Sequence, residues 1–440
     1  MTNDTSIQNP FLLPFGTPHD TVPFDRIRTE HFEPALREGI RRQLAEIDAI
    51  TANPDEPTFA NTIEAYERSG RLLGIVSNVF GNLHSAETND KLDRLAEVLM
   101  PMLSEHSNNI SLNERLFERV KYVHEHADRT GLTPEQQTLL EETYRGFVRN
   151  GADLRGEARD RYRALCQELS LLTLKFSENN LKETNDYQLV LTTPDQLAGL
   201  PESVREAAAE TAREKEVEGW VFTLQAPCYV PFMKYADRRD LRRELYLAYN
   251  TKCTHDNGCN NLEIVRQIAN DHLELARLLG YKCYADYNLE EHMAQDTAHV
   301  YQLLDQLLEA YTPTARKEAA EVEALARETE GADFTLMPWD WSYYSQKLKD
   351  RKYRIDDEQL RPYFELSRVK EGVFGLATRL YGLTFRKNTN IPVYHKDVDA
   401  YEVFDRDGNY LAVLYADFHP RAGKRSGAWM TSYKGQWKDP

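Results

Sequence analysis

The chain has 440 residues, enough for two or three ordinary domains or for one large helical body. Its 54 basic and 71 acidic residues give a formal net charge of −17, which argues against nucleic acid or an anionic membrane surface as a partner, since either calls for a basic patch. Five cysteines are few and odd in number, no apolar run reaches membrane-spanning length, and Met1-Thr-Asn-Asp-Thr-Ser6 has neither the basic nor the apolar region of a secretory signal. A soluble, acidic, cytoplasmic and mostly helical protein is the expectation.

In chain order, residues 1–28 carry Pro10, Pro14, Pro18 and Pro23 among Phe and Leu, and read as an extended arm packed on a surface. Phe32, Leu36, Ile40, Leu44 and Ile47 recur at helical spacing and predict a helix from Thr29 to about Ala49. Thr58 caps the next, which Gly70 and Gly74 weaken or break. Helical patterns follow at 90–105, 112–128 and 134–149, the last opened by the capping box Thr133-Pro-Glu-Gln136. A long helix runs from Gly156 to about Glu183. Tyr187–Thr192 and Trp220–Leu224 are short β-prone runs that pair around a helix ending near Glu216. Helices are then expected over 237–249, over 261–279 with Gly280 as C-cap, and over 298–329 with a kink at Pro313. Another opens at Pro338, and Asp357–Tyr381 forms one or two more.

The chain closes on a hairpin. Two β-rich runs flank Asp407-Gly408, a dipeptide suited to the positive φ angles of a tight turn. The second run, Tyr410–Phe418, is apolar at nearly every position, so both of its faces call for cover. The count is roughly a dozen helices and about six strands. Three regions are expected: an N-terminal arm over 1–28, a helical region over 29–186, and a third over 187–440.

Chemistry-bearing motifs are sparse. A zinc hydrolase is signalled by His-Glu-x-x-His on a helix, which binds metal through two histidines one turn apart. None of the twelve histidines gives it. His124-Glu125-His126 places its histidines on different sides of a helix, and His292 and His299 beside Glu290 and Glu291 read as solvated surface. Cys253, His255 and Cys259, with Cys283 further on, lack the paired Cys-x-x-Cys spacing of a structural zinc site. No Gly-x-Ser-x-Gly elbow is present, and Gly423-Lys-Arg-Ser-Gly427 lacks the spacing of a phosphate-binding loop. Trp339, Trp341, Tyr343 and Tyr344 read as core and wall packing.

What remains specific is a series of strings. Ala276-Arg-Leu-Leu-Gly-Tyr-Lys-Cys-Tyr-Ala-Asp-Tyr287, Pro338-Trp-Asp-Trp-Ser-Tyr-Tyr344, Leu360-Arg-Pro-Tyr-Phe-Glu-Leu366, Val393-Tyr-His-Lys-Asp-Val398 and Gly423-Lys-Arg-Ser-Gly-Ala-Trp-Met430 follow one another. Together they resemble the M3 family of zinc metallopeptidases (the thimet oligopeptidase and oligopeptidase A family), in particular its bacterial peptidyl-dipeptidase, or dipeptidyl carboxypeptidase, branch. The resemblance begins at Asn9-Pro-Phe-Leu12 and covers essentially the whole chain. It implies a neurolysin-like fold: a large, mostly α, multi-helix ellipsoid split by a channel, with a small β-sheet near the C-terminus. The implied activity is hydrolysis of short peptides, with release of C-terminal dipeptides. Zinc is the implied cofactor, held by His-Glu-x-x-His and a downstream Glu.

That motif would follow beyond Pro440, so the resemblance implies a chain truncated before the zinc-binding helix. The metal ligands, the general base and the oxyanion tyrosine would all be missing. No catalytic or metal residue is therefore assigned, and no zinc is expected at a catalytic site in this chain. Only the stretch by the channel carries over, with Gly423, Lys424, Gly427, Ala428 and Trp429 as substrate-channel candidates. In the family it helps form an edge strand along which substrate backbone runs. The expected partners are short peptides and a missing C-terminal fragment. The competing expectations are an inactive portion of a peptidase, a peptide-binding protein that has lost hydrolysis, and a purely structural scaffold.

Overall fold

Side-chain caps and positive-φ glycines set most of the element boundaries. In the computed structural model residues 9–354 and 357–436 are described; the first eight residues of the expected arm and the terminal Trp437-Lys-Asp-Pro440 lie outside them. α1 spans Phe32–Thr51 behind a 3-10 turn at Thr29–His31. Thr58 and Asn61 exchange side-chain and backbone hydrogen bonds to start a π-helical turn, Phe59–Glu64, that runs into α2, Ala65–Glu67. Gly70, at φ 72°, separates this from α3, Arg71–Ala86. Gly74, expected to weaken or break a helix, lies inside α3 instead; one glycine costs only ~1 kcal/mol there, which the burial of Leu73, Val76, Val79 and Phe80 outweighs.

α4 (Asp90–Ser111) is capped by Asn89, and α5 spans Glu114–His126. α6 (Pro134–Arg149) starts with the Thr133–Gln136 capping box and Pro134 at its first position, as the sequence predicts. α7 runs from Gly156 to Asp186. β1 (Leu189–Leu191) and β2 (Trp220–Phe222) pair antiparallel, Leu189 opposite Phe222, with α8 (Glu202–Glu214) between them in sequence. α9 (Ala226–Tyr235) was not anticipated, because Pro227 and Pro231 mask it; Pro227 occupies the first turn, where no N–H is needed. Next come α10 (Arg239–Asn250), α11 (Leu262–Leu278), α12 (Tyr284–Leu289) and α13 (Thr297–Glu330), which runs on as one helix through Pro313. α14 (Pro338–Tyr353), α15 (Asp357–Leu360) and α16 (Leu366–Tyr381) precede the antiparallel sheet β3-β4-β5, formed by Thr384–Lys387, Asp399–Phe404 and Tyr410–Ala416. The fold is mostly helical with this small sheet near the C-terminus. Among the described residues no helix is long and apolar enough to cross a membrane.

Two compact units divide the chain: residues 1–175, 266–284 and 384–440 in the first, residues 176–265 and 285–383 in the second. In the first unit Phe11, Phe15, Val22 and Phe24 of the arm pack with α1, α3 and α4 around Phe32 and Phe80. A second core joins α1, α5 and α6 through Ile47, Leu116, Val120 and Phe147. Leu275 of α11 closes a third over Tyr162, Leu165 and Leu169 of α7.

In the second unit Phe222 and Phe232 anchor a core under the β1–β2 ribbon. Its other anchor is polar. Asp340, fully buried at the start of α14, accepts hydrogen bonds from Arg239 (2.7 Å) and from Arg242 (2.9 Å), which is itself buried. Tyr343 and Tyr344 pack here, and the Arg242 guanidinium lies 4.0 Å from the Tyr343 ring centroid. Trp341 is half-exposed, whereas Trp339 meets Tyr246 edge to face.

Candidate functional site

The β4–β5 hairpin turns where expected. Gly408 takes φ 83°, and the Asp405 carboxylate accepts from the backbone N–H groups of Asp407 and Asn409. Asp399 pairs with Ala416 and Glu402 with Val413, with a register shift at Val403/Phe404. One face of β5 finds its cover in the N-terminal arm. Phe24 meets Tyr394, Tyr415 and Tyr433 edge to face at 5.4, 5.9 and 5.4 Å. His19 stacks on Tyr410 at 3.8 Å, with its Nε2 2.6 Å from Glu402 Oε1. Burial here pushes the Tyr415 hydroxyl up to about 12, so it stays protonated.

The rest of β5 stays open. It is the last strand of the sheet order, and no further strand among the described residues pairs with its outer edge. Leu411 is 53% exposed and Phe418, just beyond the strand, 54%. The result is a short apolar strand with free backbone donors and acceptors along one side, the feature an extended peptide adds to.

The candidates after the strand divide into two sets. Residues 419–436 contain no strand, and the open strand edge that precedes them is that of β5. Gly423 docks on the turn between α3 and α4: its carbonyl accepts from Thr88 N–H at 2.8 Å, and Arg425 N–H donates to the Ser85 carbonyl at 2.9 Å. A Cβ on Gly423 would come within 2.5 Å of the Thr88 carbonyl oxygen, so only glycine allows the approach. Lys424 turns inward, its Nζ 2.9 Å from Asp417 Oδ1 and 3.0 and 3.1 Å from the Asp417 and His419 carbonyls. Arg421 binds the same carboxylate at 2.7 and 2.8 Å and bridges to Glu87 at 2.7 Å. Burial alone would raise the Asp417 pKa, but hydrogen bonds from Arg421, Lys424 and Tyr394 outweigh it and hold it at about 2.

Gly427, Ala428 and Trp429 are exposed, Gly427 at φ 114°. The Trp429 ring has the Arg425 guanidinium 5.6 Å and the Lys424 ammonium 5.9 Å from its centroid. Two of the five candidates thus serve the docking of the segment, and three face solvent. The Asp417–Arg421–Lys424 cluster escaped the sequence reading; its one trace is the four- and seven-residue spacing from Asp417.

No metal or nucleophile centre forms from the residues weighed in the sequence. His124 binds Glu141 at 3.0 Å and stacks on Tyr144, while His126 stacks on Tyr122. His292 faces the Asn288 carbonyl, and His299 lies against Asp296 at the start of α13. Cys253, His255 and Cys259 do not converge as a three-ligand set. Glu183 instead holds their loop, through Cys253 N–H and Asn257 at 2.5 and 2.7 Å. Burial pushes the Cys253 thiol up to about 11 and raises those of Cys166 and Cys228, the opposite of an activated nucleophile.

Residues 232–439 match the family profile of peptidase family M3. The chain is 36% identical over 430 residues to a dipeptidyl carboxypeptidase of Escherichia coli (strain K12), covering 97% of this chain and 63% of that protein. A dipeptidyl carboxypeptidase of Salmonella typhimurium is 35% identical over 430 residues, again 97% and 63%. Oligopeptidase A of Escherichia coli is 33% identical over 435 residues, 98% of this chain and 63% of the relative. The chain therefore spans a little under two thirds of the length of these relatives.

Proposed function

We propose, from the premise that this chain belongs to peptidase family M3, that it forms part of the substrate-binding wall of a zinc-dependent peptidyl-dipeptidase or oligopeptidase acting on short peptides, with release of C-terminal dipeptides. The observation that carries this reading is the 36% identity to a dipeptidyl carboxypeptidase across 430 of the 440 residues. The open edge of β5 and the exposed Gly427–Trp429 stretch support it, because extended peptide pairs with a strand edge through backbone hydrogen bonds that tolerate many sequences. Asp417, Arg421 and Lys424 act as positioning residues, fixing the segment that carries Trp429 beside the strand. The five free thiols fit a cytoplasmic location.

His124, His126, His292 and His299 do not fit a catalytic zinc. His-Glu-x-x-His occurs nowhere in the 440 residues, and the histidines singled out in the sequence are each engaged elsewhere. We derive no hydrolytic step from them, and in this reading the chain alone is inactive. A second reading, a peptide-binding protein without hydrolysis, draws on the same open edge.

Metal analysis of the purified chain, together with cleavage of a blocked tetrapeptide, tests the proposal. The expected result is no tightly bound zinc and no cleavage, with peptide binding that perturbs backbone amides of β5 and the Trp429 indole signal. One tightly held zinc with turnover overturns the inactive-alone reading. Absence of any peptide effect on β5 overturns the binding role.

A further inference from the structure

Within the first unit, the N-terminal arm, α1 and the start of α3 line a cleft of about 320 Å³ that the functional reading above does not use. Ligand pockets occupy roughly 300–1,000 Å³, so this one suits a ligand of one or two residues rather than an oligopeptide. Its apolar lining comes from Phe11 and Phe15 of the arm and from Leu72 and Ile75 of α3. Leu13 lines it too and is 51% exposed, an apolar side chain that the fold itself does not cover. No residue of β5 takes part.

Five charged residues line the same space, and they are not equivalent. Lys434 and Asp20 neutralise each other, with the Lys434 Nζ 2.7 Å from Asp20 Oδ2 and 4.9 Å from the Phe15 ring centroid. Arg42 and Glu46 stand one turn apart on α1, a spacing at which opposite charges ordinarily pair. Here they do not. Arg42 reaches back to Glu38, its Nε 2.8 Å from Glu38 Oε1, and that bond leaves its two terminal nitrogens over. Glu46 turns the other way and accepts from the Gly70 backbone N–H at 2.8 Å through Oε2, which leaves Oε1 over. Gly70 takes φ 72°, a left-handed conformation that glycine adopts freely, so the contact holding Glu46 away from Arg42 is built into the backbone. The cleft is therefore lined by a cation and an anion with roughly 5–6 Å between their Cβ atoms, kept unjoined beside apolar side chains. Arg71, at the first position of α3, makes the basic residues of the lining outnumber the acidic ones in a chain of net charge −17.

We propose that this cleft binds an apolar dipeptide with free termini, its carboxylate on Arg42, its ammonium on Glu46 Oε1 and its side chains against Phe11, Phe15, Leu72 and Ile75. A separated cation and anion match the two ends of a zwitterion, and charge-assisted hydrogen bonds at both ends select it over a blocked or purely apolar molecule. The choice of a dipeptide among zwitterions rests on the functional reading above, in which dipeptides are released; the cleft and its charges stand without it. The site holds such a product away from the β5 edge. The arm that lines it also covers β5 through His19 and Phe24, so a bound dipeptide touches the segment that shelters the strand.

Titration calorimetry of the full chain with leucyl-leucine reads the affinity, and backbone amide shifts read the place. One site is expected, with shifts concentrated at residues 11–15 and 70–75. Arg42→Gln and Glu46→Gln, both at exposed positions, should each weaken binding by about tenfold. N-acetyl-leucyl-leucine should lose the same factor against the parent chain and nothing further against Glu46→Gln; leucyl-leucine amide should behave likewise with Arg42→Gln. Circular dichroism of both variants should match the parent, separating lost binding from lost folding. No binding, shifts confined to β5 and Trp429, or blocked dipeptides that bind as well as leucyl-leucine overturns the proposal. Shifts confined to β5 and Trp429 would at the same time support the functional reading. Shifts at the cleft, with no effect of a longer peptide on β5, sink that reading and leave the dipeptide site standing.

Discussion

Asp417 and Asp340 each sit between two basic residues, and at both the hydrogen bonds from those residues outweigh burial and lower the carboxyl pKa. Asp417 is held at about 2, against 3.8 for an unperturbed aspartate, so its ionised form is favoured in the folded state. A depressed folded pKa adds stability that is complete above the unfolded pKa and is lost as pH falls through the folded one. The shift corresponds to about 2 kcal/mol, present at neutral pH and disappearing between about pH 4 and pH 2. Asp417→Asn should lower the urea-unfolding free energy at pH 7 by that order and flatten its pH dependence across the same window. At Asp340, burial raises the carboxyl pKa, but hydrogen bonds from Arg239 and Arg242 more than offset it, so the net shift is downward. Asp340→Ala leaves Arg242, 1% exposed, without its counter-charge. A loss of ~3–5 kcal/mol is expected, read as a lower midpoint in chemical denaturation at pH 7.

Among the elements, those announced by local chemistry were legible. Thr133 with Gln136, the Gly280 C-cap (φ 87°) and the Asp407-Gly408 turn each carry their signal within a few residues, and each stands where the sequence places it. Thr133→Ala should cost ~1 kcal/mol through the lost N-cap, seen as a lower thermal midpoint. Elements whose reason lies far away in sequence were not legible. The cover of β5 comes from Phe24 and His19, nearly 400 residues earlier, and Gly423 is a glycine because Thr88 approaches it. Gly423→Ala should displace residues 421–425 from the α3–α4 turn and cost ~1–3 kcal/mol. Faster proteolysis near Arg421 and Lys424, with weaker peptide effects at Trp429, would report the displacement. Unchanged cleavage would mean that the docking contact does not hold the segment.

For the whole molecule, the sequence conveyed the helical character and the resemblance to peptidase family M3, but not that each unit is assembled from non-contiguous stretches. The first unit takes its core partners from three separate stretches. Leu275, about a hundred residues beyond the part of α7 that it covers, packs on Tyr162, Leu165 and Leu169. Leu275→Ala is therefore expected to cost ~2–5 kcal/mol, a typical penalty for a buried leucine. A fragment ending at Asp186 should expose the same α7 face and bind a hydrophobic dye, whereas the full chain should bind less.

The non-contiguous first unit also puts a delay into biosynthesis. Phe24 leaves the ribosome well before Tyr394, Tyr415 and Tyr433, the rings that enclose it. At a usual translation speed the gap is on the order of tens of seconds. Throughout that interval the nascent arm holds Phe24 without the tyrosines that finally shelter it. A holding chaperone arriving early would compete with no native contact of that ring to the hairpin, so synthesis of the stretch from Tyr394 to Tyr433 decides when the arm around Phe24 can settle.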